Sequence, residues 1–167
     1  MNRIRVSIAG AALAAGLGAL QLIPVATVNP PVVKERTMQA KLQPPPHILE
    51  ILNKACSNCH SNETRWPWYS KIAPVSWLMS RDVRGARKAM NFSEWTNKTG
   101  RKPSLALGAL TAACADVKSG RMPLPPYRML HPESRLSDAE KNVFCEWTAT
   151  ESREIMAAAR GSQGRNP

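Results

Sequence analysis

The run Cys56-Ser57-Asn58-Cys59-His60 constrains this chain more than any other feature. Two residues three positions apart share one face of a helical turn. Both thiols can therefore reach one edge of a flat ring, while the adjacent histidine turns its imidazole under that ring. C-x-x-C-H is the attachment pattern of a covalent c-type haem. It predicts one haem c, held by Cys56 and Cys59 thioethers, with His60 as an iron ligand.

Two other kinds of site use a C-x-x-C pair, and neither fits the rest of the sequence. A structural zinc site needs a second ligand pair of similar spacing, but Cys114 and Cys145 lie 31 residues apart with no adjacent histidine. A thioredoxin-like pair needs a strand–helix–strand context, and these flanks are helical and rich in proline. Haem attachment is therefore the favoured interpretation.

The start of the chain combines Arg3 and Arg5 with an uncharged run from Val6 to Val28. This pattern is typical of a secretory signal or a transmembrane helix. Pro24 stands where cleavage after Ala26 would need a small residue, which favours an uncleaved anchor over a soluble periplasmic product. The positive-inside rule keeps the arginines in the cytoplasm. We therefore expect a bacterial cytoplasmic-membrane protein with its haem domain in the periplasm, the side where c-type haem is attached.

Prolines mark the organisation of the rest of the chain. The runs Asn29-Pro30-Pro31 and Pro44-Pro45-Pro46 predict a stiff, proline-rich linker over residues 29–45, a stalk between the anchor at 1–28 and the domain. The remaining length suffices for one haem-binding domain, which we place at 46–158. The small and polar residues 159–167 predict a disordered tail.

The formal net charge of +11, of which Arg3 and Arg5 contribute two, concerns partners rather than fold. It favours an acidic redox protein or a membrane redox complex, and the anionic surface of the cytoplasmic membrane. Nucleic acid is excluded as a partner outside the cytoplasm. Arg81, Arg84 and Lys88 form one basic helical stripe, which is either a docking face or a solvated surface.

Apolar spacing predicts an all-α domain. One helix runs from His47 into the cysteine motif, a second begins near Ser76, and a third covers about 104–117. The fourth starts after Ser137, which forms a capping box with Glu140. If the third and fourth helices pack together, Cys114 and Cys145 can form a disulfide in an oxidising compartment; otherwise they are buried as small apolar residues.

Several short segments resemble one protein family. In chain order they are Cys59-His60-Ser61-Asn62-Glu63-Thr64, Pro67-Trp68-Tyr69, Ile72-Ala73-Pro74-Val75-Ser76-Trp77, Asn91-Phe92-Ser93-Glu94-Trp95, Met122-Pro123, Tyr127, His131-Pro132 and Leu136-Ser137. They are similar to the bacterial haem-binding domain family, over roughly residues 45–148, and the order of elements resembles a class I cytochrome c. The resemblance implies a helical domain around one covalent haem, with a loop methionine closing the far side.

The second axial ligand has two candidates. Met122 follows a glycine-containing turn and precedes a proline, and methionine–histidine ligation raises the potential and suits electron transfer. His131 lies in the same loop region and is the alternative. We expect Met122 to ligate the iron.

Other haem contacts can be predicted from chemical need. The second ring nitrogen of a ligating histidine usually donates to an acceptor, and we expect the carbonyl of Pro74, or alternatively Pro67, to accept. The haem propionates need donors, for which the candidates are Arg65, Trp95, Arg101 and Lys102.

Three classes of function fit this site. The leading one is a monohaem electron carrier that is not an enzyme. The second is a haem-based sensor or ligand-binding module, which needs an open sixth position. The third is a haem or thiol redox enzyme subunit, the thiol version using Cys56 and Cys59.

Overall fold

The computed structural model describes residues 2–95 and 103–163, with side chains over 8–95 and 105–161. Within these ranges the chain forms helices and no strand, so the all-α prediction is confirmed. The α-helices are α1 (Asn2–Leu20), α2 (Met38–Leu42), α3 (Pro46–Ala55), α4 (Ser57–His60), α5 (Val75–Ala89), α6 (Pro103–Lys118), α7 (Pro125–Leu130) and α8 (Asp138–Gln163). Short 3-10 turns lie at Lys34–Arg36, Trp68–Lys71, Phe92–Glu94 and Pro132–Ser134.

The core forms where α3, α6 and α8 meet. Helices α6 and α8 pack along each other and are joined by a disulfide between Cys114 and Cys145, so the first of the two predicted alternatives is the observed one. The buried side chains of this core include Ile48, Ile51, Leu52, Phe92, Trp95, Leu110, Val117, Phe144 and Trp147. Burial of these apolar surfaces stabilises the fold.

The start of α8 follows the predicted capping box. The Glu140 amide donates to the Ser137 hydroxyl oxygen at 3.2 Å, and the Ser137 amide donates to Glu140 Oε2 at 2.8 Å. Glu140 also pairs with Lys54, which ties the end of α3 to α8. Helix α8 continues to Gln163, into the predicted tail, because residues 157–160 are three alanines and an arginine, which favour helix.

Most described side chains of helix α1 are exposed, and Leu20 at its end is half-buried. Ile8, Leu13 and Leu17 all face solvent. In the part of the chain that the structure describes, no helix combines the length and the apolarity needed to span a bilayer. This finding does not support the predicted anchor over residues 1–28.

The segment predicted as a linker, 29–45, contacts the domain that follows it. Met38 is buried in the core, and Pro44 is buried as well. Asn29 Nδ2 donates to the Thr64 carbonyl at 2.8 Å, and Asn62 Nδ2 donates to the Pro31 carbonyl at 3.3 Å. These two hydrogen bonds join the predicted linker to the domain that follows it.

Candidate haem site

The cysteine motif forms a tight helical turn directly after α3. The Cys56 amide donates to the Leu52 carbonyl at 2.9 Å, so Cys56 closes the last turn of α3. The amides of Cys59 and His60 both donate to the Cys56 carbonyl, at 3.1 and 2.9 Å. Positions 56 and 59 therefore share one side of a helical turn, as their spacing predicts. Both thiols are free and partly buried.

His60 is oriented by the end of α5. Its Nδ1 lies 3.0 Å from the Met90 carbonyl oxygen. Because a carbonyl can only accept, Nδ1 carries the hydrogen and Nε2 keeps a lone pair for a metal. The ring also stacks on Phe92, with centroids 5.9 Å apart. The pKa of His60 is lowered, because the effect of burial outweighs that of the hydrogen bond to Met90, which raises the pKa. The neutral imidazole, which is the ligating form, is favoured.

The predicted acceptor for His60 was Pro74, and that prediction is wrong. The Pro74 carbonyl begins α5 and accepts from the amides of Trp77 and Leu78, at 3.1 and 3.3 Å. The Pro67 carbonyl accepts from the amide and hydroxyl of Ser70. Met90 is the first residue after α5, so its carbonyl is not needed by a later amide of the helix and can accept from His60.

An apolar cavity lies beside His60. Nearly all of its surface is apolar, and it opens to solvent on one side. Its lining includes Leu52, Ala55, Cys56, His60, Met90, Phe92, Leu110, Ala113, Met122, Phe144 and Trp147. A flat apolar ring with a metal at its centre needs such walls, an attachment thiol and a free imidazole nitrogen. These residues therefore fit a haem.

Met122 lines the same cavity as Cys56 and His60. Gly120 adopts φ 72°, the left-handed conformation that favours glycine and ends α6. The Met122 amide then donates to the Asp116 carbonyl at 3.0 Å, and Arg121 Nε donates to Asp116 Oδ1 at 2.8 Å. Asp116 thus fixes the turn that presents Met122.

His131, the alternative ligand, lies elsewhere. It lines a second, polar groove together with Arg65 and does not line the apolar cavity. Its Nε2 is 3.0 Å from the Tyr69 hydroxyl, and its Nδ1 is 3.1 Å from Glu133 Oε1. The ring stacks on Tyr127 with centroids 4.3 Å apart. Both ring nitrogens already have partners within the protein.

A family model described as a haem-binding domain matches residues 15–150 of the chain. The chain belongs to this family. The resemblance seen in the sequence is confirmed, and the match extends beyond the expected 45–148 to include the end of α1 and the predicted linker. No curated protein and no solved structure matches the chain.

The remaining predicted contacts of this haem-binding domain fall in different places. Arg65 is exposed, and its amide donates to Asn58 Oδ1 at 2.7 Å, within the cysteine motif. Trp95 is buried in the core. Arg101 and Lys102 lie outside the described residues.

Arg87 is a positioning residue that the sequence did not single out. Its Nε donates to the Ser61 carbonyl at 2.7 Å, directly after His60. Its two terminal nitrogens donate to the Val28 carbonyl, Asn29 Oδ1 and Thr64 Oγ1, at 3.1, 2.9 and 2.8 Å. One guanidinium therefore joins the loop after the haem motif to the segment that follows α1. The spacing of Arg81, Arg84 and Lys88 predicts a basic surface stripe, and it does not indicate the separate role of Arg87.

A buried polar network holds the His60 loop against the residues after α5. The Asn62 amide donates to Ser93 Oγ at 2.9 Å, and Asn91 Nδ2 donates to Asn62 Oδ1 at 2.9 Å. The Ser93 amide in turn donates to Asn91 Oδ1 at 2.9 Å. Buried polar groups that are fully bonded fix a single geometry. The network keeps the Met90 carbonyl within reach of His60.

The pKa values of both motif thiols are raised above that of a free cysteine. Burial, with a smaller effect of Cys59, raises the pKa of Cys56 to about 12, and burial, with Asp82, raises that of Cys59 to about 11. The reactive form of cysteine is the thiolate, and redox cysteines have lowered pKa values. This environment does not favour a thiol oxidoreductase.

Proposed function

We propose that this chain is a monohaem c-type cytochrome that transfers single electrons and carries out no substrate chemistry. The observation that carries the proposal is the shared cavity of Cys56, His60 and Met122, with His60 Nδ1 already bonded to the Met90 carbonyl. Haem, when bound, supplies an iron that changes its charge by one electron.

The protein's part in this function is to hold and tune the iron. Cys56 and Cys59 would anchor the haem, and His60 Nε2 and the Met122 thioether would bind its iron. Methionine–histidine ligation raises the potential, and an apolar surrounding tunes it by limiting solvent access. A sensor would need an open position, so a methionine in the cavity favours the electron carrier.

We place the domain in the periplasm, attached to the cytoplasmic membrane by residues 1–28. The Cys114–Cys145 disulfide supports this location because such bonds persist in oxidising compartments. Arg81, Arg84 and Lys88 are all exposed on α5, which supports an acidic redox protein or a membrane redox complex as the electron partner.

Attachment is tested by replacing both motif cysteines, Cys56→Ala plus Cys59→Ala. Each thioether needs one thiol, so the variant loses haem on denaturing electrophoresis while the unmodified protein retains it. Cys114→Ala plus Cys145→Ala is the matched control and keeps covalent haem. Haem that stays bound without Cys56 and Cys59 contradicts the proposed cofactor chemistry.

The sixth ligand is tested by Met122→Ala against the matched control His131→Ala. A thioether favours ferrous iron, so Met122→Ala lowers the reduction potential and lets the ferrous protein bind carbon monoxide. The ferric protein shows a weak red charge-transfer band of methionine–iron bonding, which only Met122→Ala loses. If His131→Ala opens the iron instead, the site is bis-histidine. If the unmodified protein binds carbon monoxide rapidly, the sensor replaces the electron carrier.

A further inference from the structure

Exposed apolar side chains gather where α1 leaves the domain. Leu22 and Ile23 follow α1 with 83% and 51% of their surface exposed, and Trp68 is 75% exposed. We call these the α1-exit face, together with three more exposed residues of the segment that begins α5: Ile72, Val75 and Leu78. Large contiguous apolar patches on a protein surface mark interaction sites.

The two halves of this face are joined by specific hydrogen bonds. Gln21 Nε2 donates to the Ala73 carbonyl at 3.3 Å, and the Ala73 amide donates to Gln21 Oε1 at 3.0 Å. The Ser80 hydroxyl donates to the Ala26 carbonyl at 3.0 Å. Residues 22–26 are thus pinned beside the start of α5, and Leu22 and Ile23 lie next to the residues that flank Ala73.

The chemistry of the face matches a bilayer interface. Trp68 is the type of residue that collects at the level of lipid headgroups. Val75, Leu78 and Arg81 follow one another at three-residue spacing on α5, so an apolar stripe ends in a cation. Lys71 and Arg81 are both exposed. Apolar side chains bordered by lysine and arginine are typical of segments that bind anionic membranes.

We infer that the α1-exit face lies directly on the surface of an anionic phospholipid bilayer. The inference rests on the proposed membrane attachment and adds an orientation: Trp68 and Leu78 meet the headgroup region, and the domain is not held away on a stalk. A bilayer is favoured over a protein because α1, which precedes the face in the chain, also exposes apolar side chains, among them Ile8, Leu13 and Leu17. One lipid surface covers both.

Photo-crosslinking of the full chain in bacterial membranes tests this orientation. One variant carries p-benzoylphenylalanine in place of Trp68, and the matched control carries it in place of Met156, an exposed residue of α8. After illumination, intact-mass analysis distinguishes phospholipid adducts from protein adducts. We expect several-fold more phospholipid adduct at position 68 than at position 156. A protein adduct at position 68 assigns the face to a protein partner and overturns the inference, and equal adducts or none at both positions overturn it as well.

A charge variant gives a second readout that does not depend on crosslinking efficiency. Trp68→Glu plus Leu78→Glu places two carboxylates on the face, and Val143→Glu plus Met156→Glu places two on exposed positions of α8. In vesicles of phosphatidylethanolamine and phosphatidylglycerol, hydroxyl-radical oxidation of Ile72 and Val75 rises several-fold only in the first variant. Equal oxidation in both variants contradicts the inference. The fraction of each variant that sediments with the membranes or vesicles, recorded on the same samples, reports the proposed attachment separately, so its failure cannot be mistaken for failure of the orientation.

Discussion

Replacing the disulfide, Cys114→Ala plus Cys145→Ala, removes the covalent link between α6 and α8. The two cysteines are 31 residues apart in sequence, and closing a loop of that length in the unfolded chain corresponds to about 3.7 kcal/mol at 25 °C. With a guanidinium m value of about 4 kcal/mol/M, this loss lowers the unfolding midpoint by roughly 1 M. The haem-loaded protein should therefore remain folded in water but unfold at clearly lower denaturant.

The assay is guanidinium unfolding of the haem-loaded protein followed by far-UV circular dichroism, with and without a thiol reductant. The unmodified protein should lose about the same stability when the bond is reduced, because the chain-entropy effect is then removed without changing the packing. The double variant is the control, since reductant should not move its midpoint. If reduction, verified by thiol titration, leaves the unmodified protein's midpoint unchanged, the loop-closure argument is refuted.

Two further predictions concern Arg87 and Glu151. Arg87→Lys keeps the charge but loses the fork that reaches Ser61, Thr64 and Asn29, so the free energy of unfolding should fall by about 2 kcal/mol in the same assay. The control is Arg84→Lys, because the Arg84 side chain bonds to the Ser80 carbonyl within the same helix, and this variant should lose less. Equal losses in the two variants would contradict the role of Arg87 in joining the segments. Burial, with Glu154, raises the pKa of Glu151, which accepts a hydrogen bond from Trp147 at 2.9 Å. The raised pKa stabilises the fold at pH values below the ordinary carboxyl range, and this stabilisation is lost as the pH rises through the pKa of Glu151 in the folded protein. We therefore expect Glu151→Gln to raise the midpoint of thermal unfolding at neutral pH but not in acid. A gain that does not depend on pH would contradict this expectation.

The sequence predicts the helices well because their signals are local. Apolar spacing places the helix from His47 into the motif, and the Ser137–Glu140 pair marks the start of α8. The same local patterns cannot show which carbonyl a distant side chain reaches. Gln21 to Ala73, Ser80 to Ala26 and the bonds of Arg87 all join backbone groups or side chains more than 20 residues apart, so the packing of residues 21–31 on the domain appears only in three dimensions.

The two candidate ligands illustrate the same limit at the site. Met122 and His131 lie in one stretch of sequence, and both residue types ligate haem iron. The Gly120 turn and the Asp116 carbonyl direct Met122 to the cavity, whereas Tyr69 and Glu133 bond both nitrogens of His131 at the polar groove. Residue type could name the candidates, but only their surroundings separate them.

The acceptor for His60 was mispredicted for a reason that applies beyond this chain. Proline was favoured because of its residue type, but the availability of a carbonyl depends on its position along a helix. The Pro74 carbonyl, just before the first turn of α5, is occupied because amides of that turn donate to it. The Met90 carbonyl lies just past the last turn, so no later amide of the helix donates to it. A histidine packed against a helix C-terminus therefore finds an acceptor of any residue type. The position at which α5 ends, rather than the identity of residue 90, provides the acceptor for His60 Nδ1.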